Sequence, residues 1–166
     1  MRFRGEPSEM AVSAQTGSID GRAAVKLWLR LYRPTALIER ELRTRFQREF
    51  GVSLSRFDAL AALDRAETGL LMGELSERLL VTNGNVTGLI SRMVADGLVT
   101  RTASEQDRRR FRVELTEAGR ATFTIMAKAH AGWLADIFAD LPGEAAASLT
   151  DQTEHLLHSL RTEQDG

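Results

Sequence analysis

A chain of 166 residues with 43% apolar residues is long enough for one domain with a true core, or for a small core with helical extensions. Its formal net charge of -1 excludes a nucleic-acid affinity built on bulk charge, so any such function rests on local basic surface. The absence of cysteine excludes a disulfide framework and thiol-based redox sensing. No window approaches the run of about 18 apolar residues that crosses a bilayer, and the first twenty residues hold no signal-like apolar stretch, so a cytoplasmic chain with no membrane partner is expected.

Residues 1–21 are rich in Gly, Ser, Glu and small side chains and read as a flexible N-terminal arm. From Ala23 to about Phe50 the apolar residues Trp28, Leu31, Tyr32, Ile38, Leu42 and Phe46 recur at helical steps. Pro34 falls inside this run and is expected to kink or split it, because it removes a backbone donor and crowds the preceding turn. Gly51 to Ser53 is a stop. Ser55 then fits a helix N-cap with Asp58 as the capping-box acid, and the helix continues through Phe57, Leu60 and Leu63.

After a break at Gly69 the pattern predicts a short helix over about Gly73 to Leu80, with Leu75 and Leu79 inward. Val81, Thr82 and Asn83 form a tight connection, and Thr82 is the natural cap of the next helix. There Val86, Leu89, Ile90, Met93 and Val94 make a single apolar stripe, closed by Gly97. Leu98 to Arg101 and Phe111 to Leu115 read as two strands of a hairpin around a polar tip, Thr102 to Arg110. Thr116 caps a long helix to about Asp140. Pro142 suits the start of a last helix carrying Leu149, Leu156, Leu157 and Leu160.

Two places carry chemistry. The face of the Asn83–Asp96 helix opposite its apolar stripe holds Gly84, Asn85, Thr87, Gly88, Ser91 and Arg92, where a water-facing helix would carry Glu and Lys. Each helix-interior glycine costs about 1 kcal/mol relative to alanine. Asn pairs bidentately with adenine, Thr touches a thymine methyl, and Gly lets the backbone approach closely. A short helix and a tight turn ahead of this segment favour a recognition helix over a solvated face of poor helix formers. The hairpin tip holds Asp107, Arg108, Arg109 and Arg110, the densest positive cluster in the chain and a suitable probe for a narrow minor groove. Asp107 is expected to orient an arginine by a bidentate pair.

These motifs carry a resemblance. Glu74 to Leu79, Val81 to Ile90, Asp96-Gly97-Leu98-Val99, Asp107-Arg108-Arg109, and Val113 to Thr116 with Gly119 resemble the MarR family of bacterial regulators over about Ala23 to Leu160. The wing pattern, Asp-x-Arg followed by Leu-Thr-x-x-Gly, is the most specific part. The resemblance implies a mainly α fold with a small β-hairpin wing: a winged helix-turn-helix over 51–116, dimerisation helices over 22–50 and 117–161, and a tail over 162–166. It implies a homodimer on double-stranded DNA at a pseudo-palindromic operator, with recognition helices roughly 34–36 Å apart. By the same resemblance Asp107 orients the wing, Arg109 enters the minor groove, and Asn83, Asn85, Thr87, Gly88 and Arg92 line the major groove. Thr82, Gly84, Arg108 and Arg110 complete the expected DNA-binding set. Leu71, where the family commonly has a capping Ser or Thr, and Pro34 depart from the pattern.

The stretch Phe57 to Leu60, with Val81 to Gly88, is similar to a subgroup controlling aromatic-acid breakdown, which implies a repressor released by a small aromatic acid or its CoA thioester. Trp28, Tyr32 and Arg56 are the candidate effector residues, since aromatic walls and a cation suit an anionic aromatic ligand; the other reading of Trp28 and Tyr32 is dimer core. His155 and His158 stand one helical turn apart, but without a third ligand neither a metal nor any cofactor is expected. With no phosphate loop, nucleophile motif or convincing carboxylate pair, an enzyme is not expected. The alternatives are a dimeric helical interaction module without DNA binding and, less favoured, an enzyme.

Overall fold

A computed structural model of the chain describes residues 19–79, 82–104, 107 and 109–162. Most of the expected arm, the last four residues of the tail, Val81, and Arg108 of the hairpin tip lie outside the described residues, as does the side chain of Asn83. Among the described residues, six helices and three strands follow in the order α1 (Gly21–Phe50), α2 (Leu54–Asp64), β1 (Leu70–Leu71), α3 (Met72–Arg78), α4 (Asn83–Ala95), β2 (Val99–Ala103), β3 (Phe111–Leu115), α5 (Glu117–Ile137) and α6 (Gly143–Thr162). Contacts divide the chain into two compact units that meet between Leu37 and Ile38, within α1.

In the first unit, the Asp20 carboxylate accepts from Ala23 N at 2.8 Å, so α1 begins two residues before the apolar pattern does. Pro34 does not split the helix. Thr35 Oγ1 donates to Leu31 O at 2.8 Å, in the turn that the proline crowds. Val25, Leu27, Trp28, Leu29, Tyr32 and Leu37 are all exposed.

The second unit holds the core. Phe46 is fully buried. Its ring meets Phe57 at 4.6 Å, Trp133 edge-on at 5.0 Å and His130 at 5.9 Å, so one aromatic cluster ties α1, α2 and α5. Leu60, Leu63, Leu75, Val86, Ile90, Met93 and Val113 extend it beneath α3, α4 and the sheet. The α4 stripe is inward at Val86, Leu89, Ile90 and Met93, but Val94 is exposed.

The hairpin is part of a three-stranded antiparallel sheet of order β1-β3-β2, with Val99 opposite Leu115 and Leu70 opposite Val113. The two-residue β1 is too short to leave a periodic signal. It follows Gly69, whose φ of 70° and close approach to the Val113 carbonyl leave no room for a side chain.

Local signals decide the helix starts. Ser53, not Ser55, caps α2 by accepting from Arg56 N, and Asp58 therefore sits inside the helix. Leu71 occupies the N-cap position of α3 without an acceptor of its own; the Glu74 carboxylate instead takes the Leu71 N–H at 2.7 Å. Thr82 has the extended backbone of an N-cap for α4, but its side chain makes no capping bond.

The Leu-Thr-x-x-Gly motif is a joint. Thr116 Oγ1 accepts from Gly119 N at 3.0 Å and donates to Gly97 O at 2.7 Å, while Thr116 N donates to Leu98 O. A Cβ on Gly119 would lie 2.0 Å from Leu98 O, so only glycine lets the first turn of α5 rest against the link between α4 and β2.

Candidate nucleic-acid interface

α4 presents Gly84, Asn85, Thr87, Gly88, Ser91 and Arg92 outward, all exposed, with exposed Thr82 at its start. The small and polar residues of α4 are thus turned to solvent. Gly84 and Gly88 need no glycine for the fold: a Cβ at either would meet nothing within 4 Å. Gly119 and Gly69 are the opposite case, since neighbouring backbone fills the space a side chain would take there.

The hairpin tip is shaped by backbone bonds. Asp107 Oδ1 accepts from Arg109 N at 2.9 Å, Arg110 N donates to Asp107 O at 2.9 Å, and Ser104 N donates to Arg110 O at 2.8 Å. Asp107 therefore orients Arg109 through its main chain; no ion pair joins their side chains. This corrects the expected bidentate pair as far as Arg109 is concerned. An Asx turn explains it, because a carboxylate two residues ahead reaches a backbone N–H more readily than a mobile guanidinium. Arg109 and Arg110 are exposed and pair with no carboxylate among the described residues. Arg112, just past the tip, points elsewhere. It donates to Thr68 O and Gly69 O and fastens β3 to the loop before β1.

A cleft of about 390 Å³ lies between the start of α3, α4 and the wing, and its lining includes Gly73, Thr87, Arg101, Arg109, Arg110 and Phe111. The sequence pattern did not single out Arg101. Alternation would have flagged it, since Val99 and Arg101 fall on the same face of β2 and Val99 is buried.

The candidate effector residues are placed as follows. Trp28 and Tyr32 stack in the first unit with centroids 5.5 Å apart, and both are exposed. In the second unit, Arg56 forms an ion pair with Asp96, the C-cap of α4. Burial pulls His130 below its ordinary value, which keeps the ring neutral among the aromatic side chains of the core. His155 and His158 are exposed on α6, and no group of three or more metal-ligating side chains gathers among the described residues.

A short helix ahead of an outward-facing helix, followed by an arginine-tipped hairpin, defines a winged helix-turn-helix protein. Residues 50–110 match the model of the MarR family. The chain is 31% identical over 140 residues to the transcriptional activatory protein BadR of Rhodopseudomonas palustris, covering 82% of this chain and 75% of that one. It is similar to the crystal structure of a MarR family transcriptional regulator from Silicibacter pomeroyi, with 36% identity, a TM-score of 0.71, and coverage of 84% of this chain and 96% of that one. It shares the fold of Sco3205, a MarR family regulator from Streptomyces coelicolor solved in complex with DNA, at 21% identity and a TM-score of 0.73, covering 88% of this chain and 92% of that one. The chain belongs to the MarR family and is a transcriptional regulator.

Proposed function

We propose that this regulator binds double-stranded DNA as a homodimer, placing α4 in the major groove and the tip of the wing in the adjacent minor groove. The observation that carries this reading is the outward face of α4. Two glycines stand there, Gly84 in the first turn and Gly88 in the helix interior, with open space where their side chains would be. Gly88 weakens the helix by about 1 kcal/mol and neither glycine serves a contact inside the fold, so the close approach they allow is to something outside it. Asn83, Asn85, Thr87 and Arg92 read base edges, while Thr82, Gly84 and Gly88 let the backbone come near the groove. Arg109, with Arg108 and Arg110, enters the minor groove from a tip that Asp107 holds in shape.

The homodimer follows from the helices outside the wing. Exposed Trp28, Leu29 and Tyr32 on α1, and exposed Leu149, Leu157 and Leu160 on α6, form apolar faces that a second copy would cover. The protein acts in the cytoplasm, as a regulator and not as an enzyme, and its site uses no cofactor.

The regulator is read as a repressor released by an aromatic acid or an aromatic CoA thioester. Trp28 and Tyr32 offer stacked aromatic area, and Arg56 offers a cation. An anion that draws Arg56 away from Asp96 would free the C-terminal end of α4. The relative from Rhodopseudomonas palustris is described as activatory, so the sign of regulation is a separate question from DNA binding.

Selection of bound duplexes from a random pool tests the reading. The expected result is an inverted repeat with half-site centres about 10 base pairs apart. No enrichment over the starting pool would leave the interaction-module alternative. Transcription from a promoter overlapping the selected site should fall with protein and recover with aromatic acids or their CoA esters. Transcription that rises with protein would overturn repression, and indifference to every such compound would overturn the effector assignment.

A further inference from the structure

We propose that Arg101 is a phosphate clamp: laid over the Phe111 ring in the cleft between α3, α4 and the wing, it grips one phosphodiester of the bound duplex. This rests on the DNA-binding reading above and adds to it a residue of the strand, outside both the recognition helix and the hairpin tip.

The argument begins with strand register. Arg101 pairs with Val113 and shares a sheet face with Val99, and both valines are buried. Alternation alone would favour an apolar residue there, yet the chain has an exposed arginine at this position. Phe111 pairs with Ala103, which makes it the diagonal neighbour of Arg101 on the same face. The guanidinium carbon lies 4.0 Å from the centre of its ring. A small Ala103 opposite the large ring leaves room for the arginine to lie flat. The stack limits the rotamers of a side chain that would otherwise be free, so less entropy is lost when it meets an anion.

The charge is also left available. Arg43, Arg45, Arg48, Arg56 and Arg120 all hold carboxylates. Arg101, Arg109 and Arg110 line one cleft, and none of them has a carboxylate partner among the described residues. Three unpaired guanidinia around a cleft flanked by α4 and the wing suit a polyanion that spans both elements. A duplex with α4 in one groove and the wing tip in the next runs its backbone between them, across the mouth of this cleft.

The test compares the full-length protein with Arg101→Gln, Arg101→Lys and Phe111→Leu variants on the selected duplex and on unrelated DNA. Thermal melting serves as the check on folding. Arg101→Gln should weaken binding roughly tenfold on both DNAs alike, because a phosphate contact carries no sequence information. The slope of log affinity against log salt should shrink by about 0.9 for each lost contact. Arg101→Lys should restore the slope but only part of the affinity, and Phe111→Leu should lower affinity several-fold. A neutral methylphosphonate at one backbone position should weaken the wild type and leave Arg101→Gln unchanged.

Unchanged affinity and slope in a folded Arg101→Gln protein would overturn the clamp, while an Arg109→Ala protein that still loses operator affinity about a hundredfold would leave the DNA-binding reading standing. Loss confined to the selected duplex would overturn it in favour of base readout. Stronger competition by inorganic phosphate than by chloride at equal ionic strength, with no sensitive methylphosphonate position, would assign the cleft to a free anion. Failure of the wild type to bind any duplex would overturn the clamp and the DNA-binding reading together.

Discussion

Two faces of this protein depart from an ordinary water-facing helix, and they do so in opposite directions. The outward side of α4 is polar but built from small residues and weak helix formers, with Gly84 and Gly88 in open space. The first unit exposes Val25, Leu27, Trp28, Leu29 and Tyr32 on a single helix. Neither composition is what stability in water favours, since a solvated face would take Glu, Lys and Gln. A small polar face suits a hydrophilic groove read by hydrogen bonds, and a broad apolar face suits another apolar face. The contrast teaches that the exception at each surface names the chemistry of its partner.

The strongest way to break the comparison is to remove charge from one face only. Arg109→Ala should lower operator affinity about a hundredfold and reduce the salt slope, with melting temperature and dimerisation unchanged. Binding isotherms at several salt concentrations, together with sedimentation, check this. The converse change is Trp28→Glu, which should raise the dimer dissociation constant at least about tenfold and weaken operator binding through loss of the second half-site. Sedimentation equilibrium reads it, and an unaltered dimer would remove Trp28 from the interface.

Gly88→Ala sharpens the comparison, because it should move stability and function in opposite directions. The alanine finds open space and gains about 0.5–1 kcal/mol of helix stability, while its methyl group stands between α4 and the groove and weakens binding several-fold. Denaturant unfolding and DNA titration of the same variant decide it. A more stable protein with undiminished affinity would mean that α4 does not lie close to DNA.

The smallest effect is a control at Asp58 on α2, a residue assigned to neither surface. Partial desolvation, supported by the Glu39 charge and eased by Arg43, pushes the Asp58 carboxyl up to about 6. The folded chain therefore holds this proton more tightly than the unfolded one. Native stability falls as pH rises from about 4 to about 6, then levels off. Asp58→Asn should raise the melting temperature modestly at pH 7 and lose that advantage by pH 4, without changing DNA affinity.

The larger periodic features were legible in the sequence because they depend on spacing alone. The α4 stripe, the hairpin and the Thr116 cap of α5 are of this kind. What escaped was decided by contacts between distant segments. Ser53 and Ser55 are both plausible caps for α2, and nothing local separates them. β1 exists only because β3 passes beside Leu70 and Leu71. The Arg56–Asp96 pair joins residues far apart in the chain, as does the hold of Arg112 on Thr68 and Gly69. At the candidate site, the composition of α4 marked the face that the fold turns outward. The manner in which Asp107 holds Arg109 depends on turn geometry, which residue type alone does not specify.

Hydrogen exchange of the full-length protein, with and without its selected duplex, tests the division of surfaces most directly. The account predicts slower exchange on DNA binding in α4 and around the wing tip, with the apolar stretches of α1 and α6 unchanged. Protection confined to those apolar stretches, with α4 and the wing tip exchanging as in the free protein, would contradict it.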